Sequence, residues 1–180
     1  SGGEAAALAY GPAATLWRIN IGWRRRAAQN QHGFVLDIER GYWQRDAQAP
    51  GDSDDDGDPL SPRTRRVIPY VEDRRNCLLL TPAGALGPAV MASLQAALKA
   101  AIQVCFQLED SELAVDPLPG PDDRRHILLY ESAEGGAGVL RQLIDDPTAL
   151  GAITRAALEL CHFDPVTGEE LLHAPGPVEV

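Results

Sequence analysis

The chain has 180 residues, of which 44% are hydrophobic and 23% are charged, a balance typical of one globular domain. Its formal net charge of −10 argues against a free-standing protein that binds nucleic acid or an anionic membrane through its overall field. We find no window that approaches the roughly 20 apolar residues of a membrane span and no signal peptide, so we expect a single cytoplasmic domain over residues 1–180 without a membrane partner. The start at Ser1 instead of Met predicts a fragment or a processed product.

The first third of the chain predicts two β-hairpins separated by an acidic loop. Alternating apolar residues predict a strand over 15–24, and a polar turn leads to a second strand over 34–38, so we expect these two to pair as an antiparallel hairpin. The stretch 46–62 contains five aspartates and predicts a flexible, solvated loop; it opens like a calcium loop, but Arg63 stands where the closing Glu is needed. Runs over 67–71 and 77–80, on either side of a charged turn, predict a second hairpin.

The remainder of the chain predicts helices and two short strands. Apolar residues at three- and four-residue steps predict a long, Ala-rich helix over 86–108. Strands are predicted over 112–115 and 127–130, helices over 139–144 and 147–161, and an irregular tail over 163–180. The fold class that follows is α+β: antiparallel hairpins packed on the long helix, a strand–glycine turn–helix unit, and C-terminal helices.

The glycine turn of Gly135, Gly136 and Gly138 has two interpretations. Free amides at a helix start can cradle an anion, so one alternative is a small enzyme or nucleotide-binding module with Glu131 or Glu134 as its base. However, Arg141 occupies the third glycine position of the dinucleotide fingerprint, and no phosphate-loop Lys follows the turn. We therefore favour a structural role, in which glycine permits a left-handed turn or close helix–strand packing.

Clustered arginines are the candidate nucleic-acid contacts. They lie at predicted strand ends and loops, where folding could gather them into a local positive patch: Arg24, Arg25, Arg26, Arg65, Arg66, Arg74 and Arg75. Only the near field matters within a Debye length of about 8–10 Å, so such a patch could grip phosphates despite the net acidity. The alternative is that these arginines pair with nearby Asp and Glu.

The three cysteines, Cys77, Cys105 and Cys161, are odd in number and widely spaced, so we expect no disulfide framework. Cys161 and the adjacent His162 would be zinc ligands only if partners were supplied from elsewhere. We expect no cofactor within this chain.

The segment Ile127–Leu143, ILLYESAEGGAGVLRQL, resembles the signature of the MrfA-like zinc-binding domain family. Supporting matches in the same order include Leu16–Trp23, the long helix, and Ala156–His162. This family stands at the C-terminal end of many DEAD/DEAH-type helicases and in a subunit of the DISARM anti-phage system.

The resemblance implies a non-catalytic accessory or scaffold domain of a prokaryotic DNA helicase or a DISARM-like complex, which aids DNA engagement or subunit assembly. Its implied partners are a helicase domain or subunit and DNA. Family members usually continue into a cysteine cluster that completes a four-cysteine zinc site, and these residues contain no such cluster. Cys161 matches the first family cysteine, so a role for Cys161 in binding zinc depends on ligands from outside these residues.

Overall fold

The structure, a computed structural model, describes residues 5–23, 30–44, 61–133 and 135–172. Its fold class is α+β, as predicted, with three helices and two antiparallel sheets. Seven strands and three helices occur in the described residues, in this order: β1 (Ala6–Ile19), β2 (Phe34–Asp37), β3 (Trp43–Gln44), β4 (Thr64–Val67), β5 (Tyr70–Pro82), α1 (Pro88–Phe106), β6 (Leu113–Gly120), β7 (Asp123–Glu131), α2 (Val139–Asp145) and α3 (Ala149–Leu160).

The chain divides into two compact units, one formed by Ser1–Thr15 with Arg74–Val180 and the other by Leu16–Asp73. The four-stranded sheet has the order β1-β5-β7-β6, and the three-stranded sheet has the order β3-β2-β4. The glycine turn and all three helices lie in the first unit, and the whole three-stranded sheet lies in the second.

The core of the first unit forms where α1 packs against β6, β7 and α3. β7 is the central strand here: it pairs with β5 at Cys77↔Tyr130 and with β6 at Leu113↔Glu131. Its apolar side chains are worth roughly 1.5–3 kcal/mol each when fully buried. The largest apolar side chains that are almost wholly inaccessible in this core are Leu78, Met91, Leu113, Ile127, Leu129, Leu140 and Ile153.

Helix α1 confirms the prediction of a long Ala-rich helix. It begins with Pro88 after the N-cap Gly87, where the missing N–H of proline costs nothing, and it ends at Gln107, which adopts the left-handed conformation. By length and composition α1 is apolar enough to cross a membrane, so the expectation that no segment reaches that length is wrong. One face of α1 is buried, as in a helix that packs in a protein core; the buried residues are Met91, Leu98, Ala101 and Ile102.

The second unit is built around β2, which pairs with both β3 and β4. Gly33 precedes β2 with a φ of +88°, and a Cβ there would lie 2.5 Å from the carbonyl oxygen of Val67. Only glycine fits this close approach to the neighbouring strand.

Both predicted hairpins are wrong. The strand that includes Thr15–Ile19 pairs with β5, while Phe34–Asp37 belongs to the other sheet. The charged stretch 72–76 is the middle of β5 and not a turn, because partners satisfy its polar side chains: Asp73 accepts a 2.7 Å hydrogen bond from Arg18. β6 likewise continues through Pro117 and Pro119, which is possible because β6 is an edge strand.

Candidate functional site

The glycine turn surrounds a buried carboxylate. Glu131 is the last residue of β7 and is 2% exposed. Its Oε1 accepts a 3.0 Å hydrogen bond from the backbone N–H of Leu140 in the first turn of α2, and its Oε2 accepts a 2.9 Å bond from the side chain of Asn76. The strand therefore supplies its own anion to the start of the helix that follows it.

The glycines permit this arrangement. Gly135, Gly136 and Gly138 have φ values of +82°, +60° and +74°, in the left-handed region that L side chains rarely adopt. A Cβ at Gly136 would overlap Glu131 Oε2 and lie 2.6 Å from Glu131 Cδ, whereas one at Gly135 or Gly138 would meet nothing within 4 Å. Gly136 is thus required by both conformation and space, the others by conformation alone.

Asn76 connects this turn to two strands, a role that the sequence analysis missed. Its amide nitrogen also donates to the carbonyl of Gly135 at 3.1 Å, and its amide oxygen accepts from the N–H of Ala13 in β1 at 3.1 Å. Ala13 has a φ of +47°, so β1 departs from regular strand geometry at the residue that Asn76 holds. No sequence pattern identified Asn76, because its partners are distant in the chain.

This geometry argues against the turn as a binding site for an external anion and against Glu131 as a catalytic base. The N–H of Leu140, which an external anion would use, already donates to Glu131. Glu131 is buried with both oxygens hydrogen-bonded, so it does not face a substrate. Glu134, the other candidate base, lies outside the described residues.

The structure separates the predicted arginine contacts. Arg65 and Arg66 are neighbours in β4, so their side chains leave opposite faces of the three-stranded sheet, and Arg74 and Arg75 are likewise neighbours in β5. Arg66 donates to the carbonyl of Gly33 at 3.2 Å. Arg24, Arg25 and Arg26 lie outside the described residues. Adjacent arginines therefore cannot all join one patch on a single sheet face.

The residues that the structure describes do not form a zinc site. Cys161 is the C-cap of α3, exposed and without a disulfide partner. Over residues 5–23, 30–44, 61–133 and 135–172, no group of three His, Cys, Asp or Glu side chains could hold a metal ion. A structural zinc site needs about four such ligands, so Cys161 alone does not supply one.

Asp37 is a second buried carboxylate that the sequence analysis missed. It accepts hydrogen bonds from the N–H and the hydroxyl of Ser61, both at 2.8 Å, and from the N–H groups of Glu39 and Arg40 at 3.0 and 3.1 Å. The backbone N–H of Ser61, aided by the Ser61 hydroxyl and the other two N–H groups, lowers the pKa of Asp37 to about 2. The signal available in the sequence was an Asp at the start of a turn that ends in Gly41. Its role is to close the turn after β2.

Comparison with known proteins points to one family. The MrfA Zn-binding domain family matches residues 94–164, from the middle of α1 to just beyond α3. The crystal structure of the DUF1998 helicase MrfA bound to DNA is similar with a TM-score of 0.43 and 10% identity, over 89% of this chain and 23% of that one. The chain thus spans about a quarter of that helicase.

A search of curated proteins found no match. The matched region includes β7, the glycine turn, α2 and α3, where the sequence resemblance was strongest. The resemblance is thereby confirmed: from residue 94 to residue 164 this chain matches the MrfA Zn-binding domain family.

Proposed function

We propose that this chain is a non-catalytic accessory module of a helicase, which positions DNA or joins subunits. The observation that carries the proposal is the glycine turn filled by the Glu131 carboxylate. A turn closed by an internal anion is suited to fixing β7 against α2, and the Leu140 N–H that a phosphate would use is already occupied. The family match over residues 94–164 supports the same role.

A ligand titration tests the non-catalytic role. We expect the melting temperature to stay unchanged when ATP, inorganic phosphate or a sugar phosphate is added. A ligand present at 100 times its Kd adds about 2.7 kcal/mol to the free energy of unfolding, which would raise the melting temperature clearly. Such a rise, together with hydrolysis of the ligand by the purified chain, would overturn the accessory role.

We further propose that these arginines contact DNA phosphates: Arg24, Arg25, Arg26, Arg65, Arg66, Arg74 and Arg75. Each phosphate contact contributes about 0.9 to the slope of log K against log salt, so Arg65→Ala or Arg74→Ala should reduce that slope by about one. Arg141→Ala is the matched control, because Arg141 is exposed and its guanidinium pairs with Asp145 at 3.0 Å. Binding that is insensitive to salt, or a control variant that loses as much slope as the others, would contradict this assignment.

The setting that we propose is a prokaryotic helicase or a DISARM-like anti-phage complex in the cytoplasm, with residues 1–180 acting as one domain. Co-purification of the tagged chain with a helicase subunit from its own cells tests the setting. A single cooperative unfolding transition, seen by both circular dichroism and tryptophan fluorescence, tests the domain count. Two separated transitions would assign Leu16–Asp73 and the remainder to independent domains.

A further inference from the structure

The second unit carries a pocket of about 270 Å³ that the proposed function has not used. Asn20, Trp23, Phe34, Trp43 and Pro69 line it. Phe34 forms its floor, 8% exposed, with Trp23 and Trp43 packed edge to face against its ring at centroid distances of 5.3 and 5.7 Å. Three aromatic rings thus meet in one concave site.

The two tryptophans of this pocket are partly exposed to solvent. Trp23 is 40% exposed and Trp43 is 52% exposed. Large apolar groups that stay exposed around a concave site typically mark a place where a ligand binds. The backbone N–H of Asn20 donates to the carbonyl of Pro69 at 2.9 Å, which joins two of the residues that line the pocket.

Asn20 is the lining residue of this pocket that has a side-chain amide. Its oxygen accepts a 3.3 Å bond from the N–H of Gly22, and its amide nitrogen has no partner in the described part of the chain. An aromatic pocket with one Asn among its lining residues matches what a nucleobase offers: a flat π-face and a polar edge.

Strand register places a positive charge on the same face. Leu36 pairs with Trp43 on one side and with Arg65 on the other, and directly opposed residues of an antiparallel sheet share a face. Arg65 is exposed and has no ion pair in the described part of the chain, while Arg66 points to the opposite face. The chemistry on this face is therefore aromatic and cationic.

We infer that this pocket holds an unstacked base of single-stranded nucleic acid, with Arg65 on a flanking phosphate. The inference rests on the proposed engagement of DNA. It adds that the bound nucleic acid is single-stranded and that one base enters this pocket. Aromatic stacking favours a splayed base over a duplex, whose bases already stack on one another. A Pro-rich peptide also binds between aromatic rings, but it carries no phosphate for Arg65.

Binding of a single-stranded thymine 15-mer and of a 15-base-pair duplex, followed by tryptophan fluorescence and anisotropy at low salt, tests this inference. We expect the single strand to bind more tightly and to quench the fluorescence. Trp43→Ala should weaken single-strand binding about 10-fold, a loss typical for one stacked base. Tyr42→Ala is the matched control, since Tyr42 is the preceding aromatic residue, is 59% exposed and does not line the pocket; it should change binding less than 2-fold. Circular dichroism verifies that each variant is folded.

Three outcomes would overturn the base pocket, and they differ in what they say about the proposed function. In the first outcome, both nucleic acids bind equally, and Arg65→Ala weakens this binding while Trp43→Ala does not. The base pocket would then be refuted, and the proposed engagement of DNA would stand. In the second outcome, neither nucleic acid binds, and both the base pocket and the proposed engagement of DNA would be refuted. Binding of a Pro-rich peptide that Trp43→Ala abolishes, without quenching by the thymine strand, reassigns the pocket to a protein partner.

Discussion

At the scale of single residues, two buried carboxylates organise the described chain, one in each compact unit. Glu131 joins β7, β5 and the start of α2, and Asp37 closes the turn after β2. A buried carboxylate is costly unless its oxygens accept several hydrogen bonds, and both residues meet this condition. Their partners are mostly backbone N–H groups, which composition and spacing do not reveal.

Substitution at Gly136 should show how closely the turn is built around Glu131. We expect Gly136→Ala to lower the free energy of unfolding by about 1–2 kcal/mol from its positive φ and by about 1–3 kcal/mol more because the methyl group displaces the buried carboxylate. Gly135→Ala, which has a similar φ but open space, should lose only the first amount. Urea denaturation measures both. Equal losses for the two variants would mean that Glu131 does not occupy the turn.

The hydrogen bonds to Asp37 should appear in the acid stability of the protein. Because these bonds hold its folded pKa near 2, below the ordinary 3.8, Asp37 contributes stability that is complete above about pH 4 and is lost as the pH falls towards 2. Melting temperatures of the native protein and of Asp37→Asn between pH 2 and pH 6 measure this contribution. The variant should be less stable at pH 6, and the two should converge towards pH 2. A constant gap over the whole range would refute the assignment.

At the scale of elements, local periodicity predicted the helices well and strand pairing poorly. The helix prediction for 86–108 is confirmed within two residues at each end, because one turn of a helix involves only near neighbours. The alternating residues of 15–24 correctly indicated a strand, but pairing it with 34–38 assumed that the nearest strand is the partner. Its partner is β5, far along the chain, so both hairpins were wrong.

The two faces of α1 should respond differently to truncation. Ile102 is 2% exposed in the core, and Ile102→Ala should lower the free energy of unfolding by about 2–5 kcal/mol through lost burial and the cavity left behind. Val104, two residues away and 62% exposed, should tolerate the same change within about 0.5 kcal/mol. Thermal or urea unfolding compares the two. A large loss at Val104 would indicate that this face is covered in solution.

At the scale of the whole molecule, the acidic net charge and the arginine groups act over different distances. The net charge of −10 repels a polyanion at long range, whereas Arg65, which shares a sheet face with Trp43, acts only at short range. Binding of nucleic acid by this chain should therefore be weak in isolation and gain from a helicase that delivers the strand. Such dependence on a helicase is what the proposed accessory role predicts.

The matched family is named for zinc. Removal of metal from the protein tests whether this chain holds zinc. Because the described residues supply no cluster of ligands around Cys161, we expect EDTA to leave the melting temperature unchanged and elemental analysis to find less than one zinc per chain. Cys161→Ser should be equally neutral, since Cys161 is exposed at the end of α3. One tightly held zinc per chain, with a melting temperature that falls in EDTA, would contradict this.

The sequence by itself determined the α+β class, the helices, the glycine turn and the family that residues 94–164 resemble, because each depends on residues that are close together in the chain. Only the tertiary structure decided the strand partners, the burial of Glu131 against Asn76 and Gly136, and the aromatic pocket. These features join residues that lie far apart in the chain, and a side chain that is satisfied by a distant partner leaves no local pattern by which to find it.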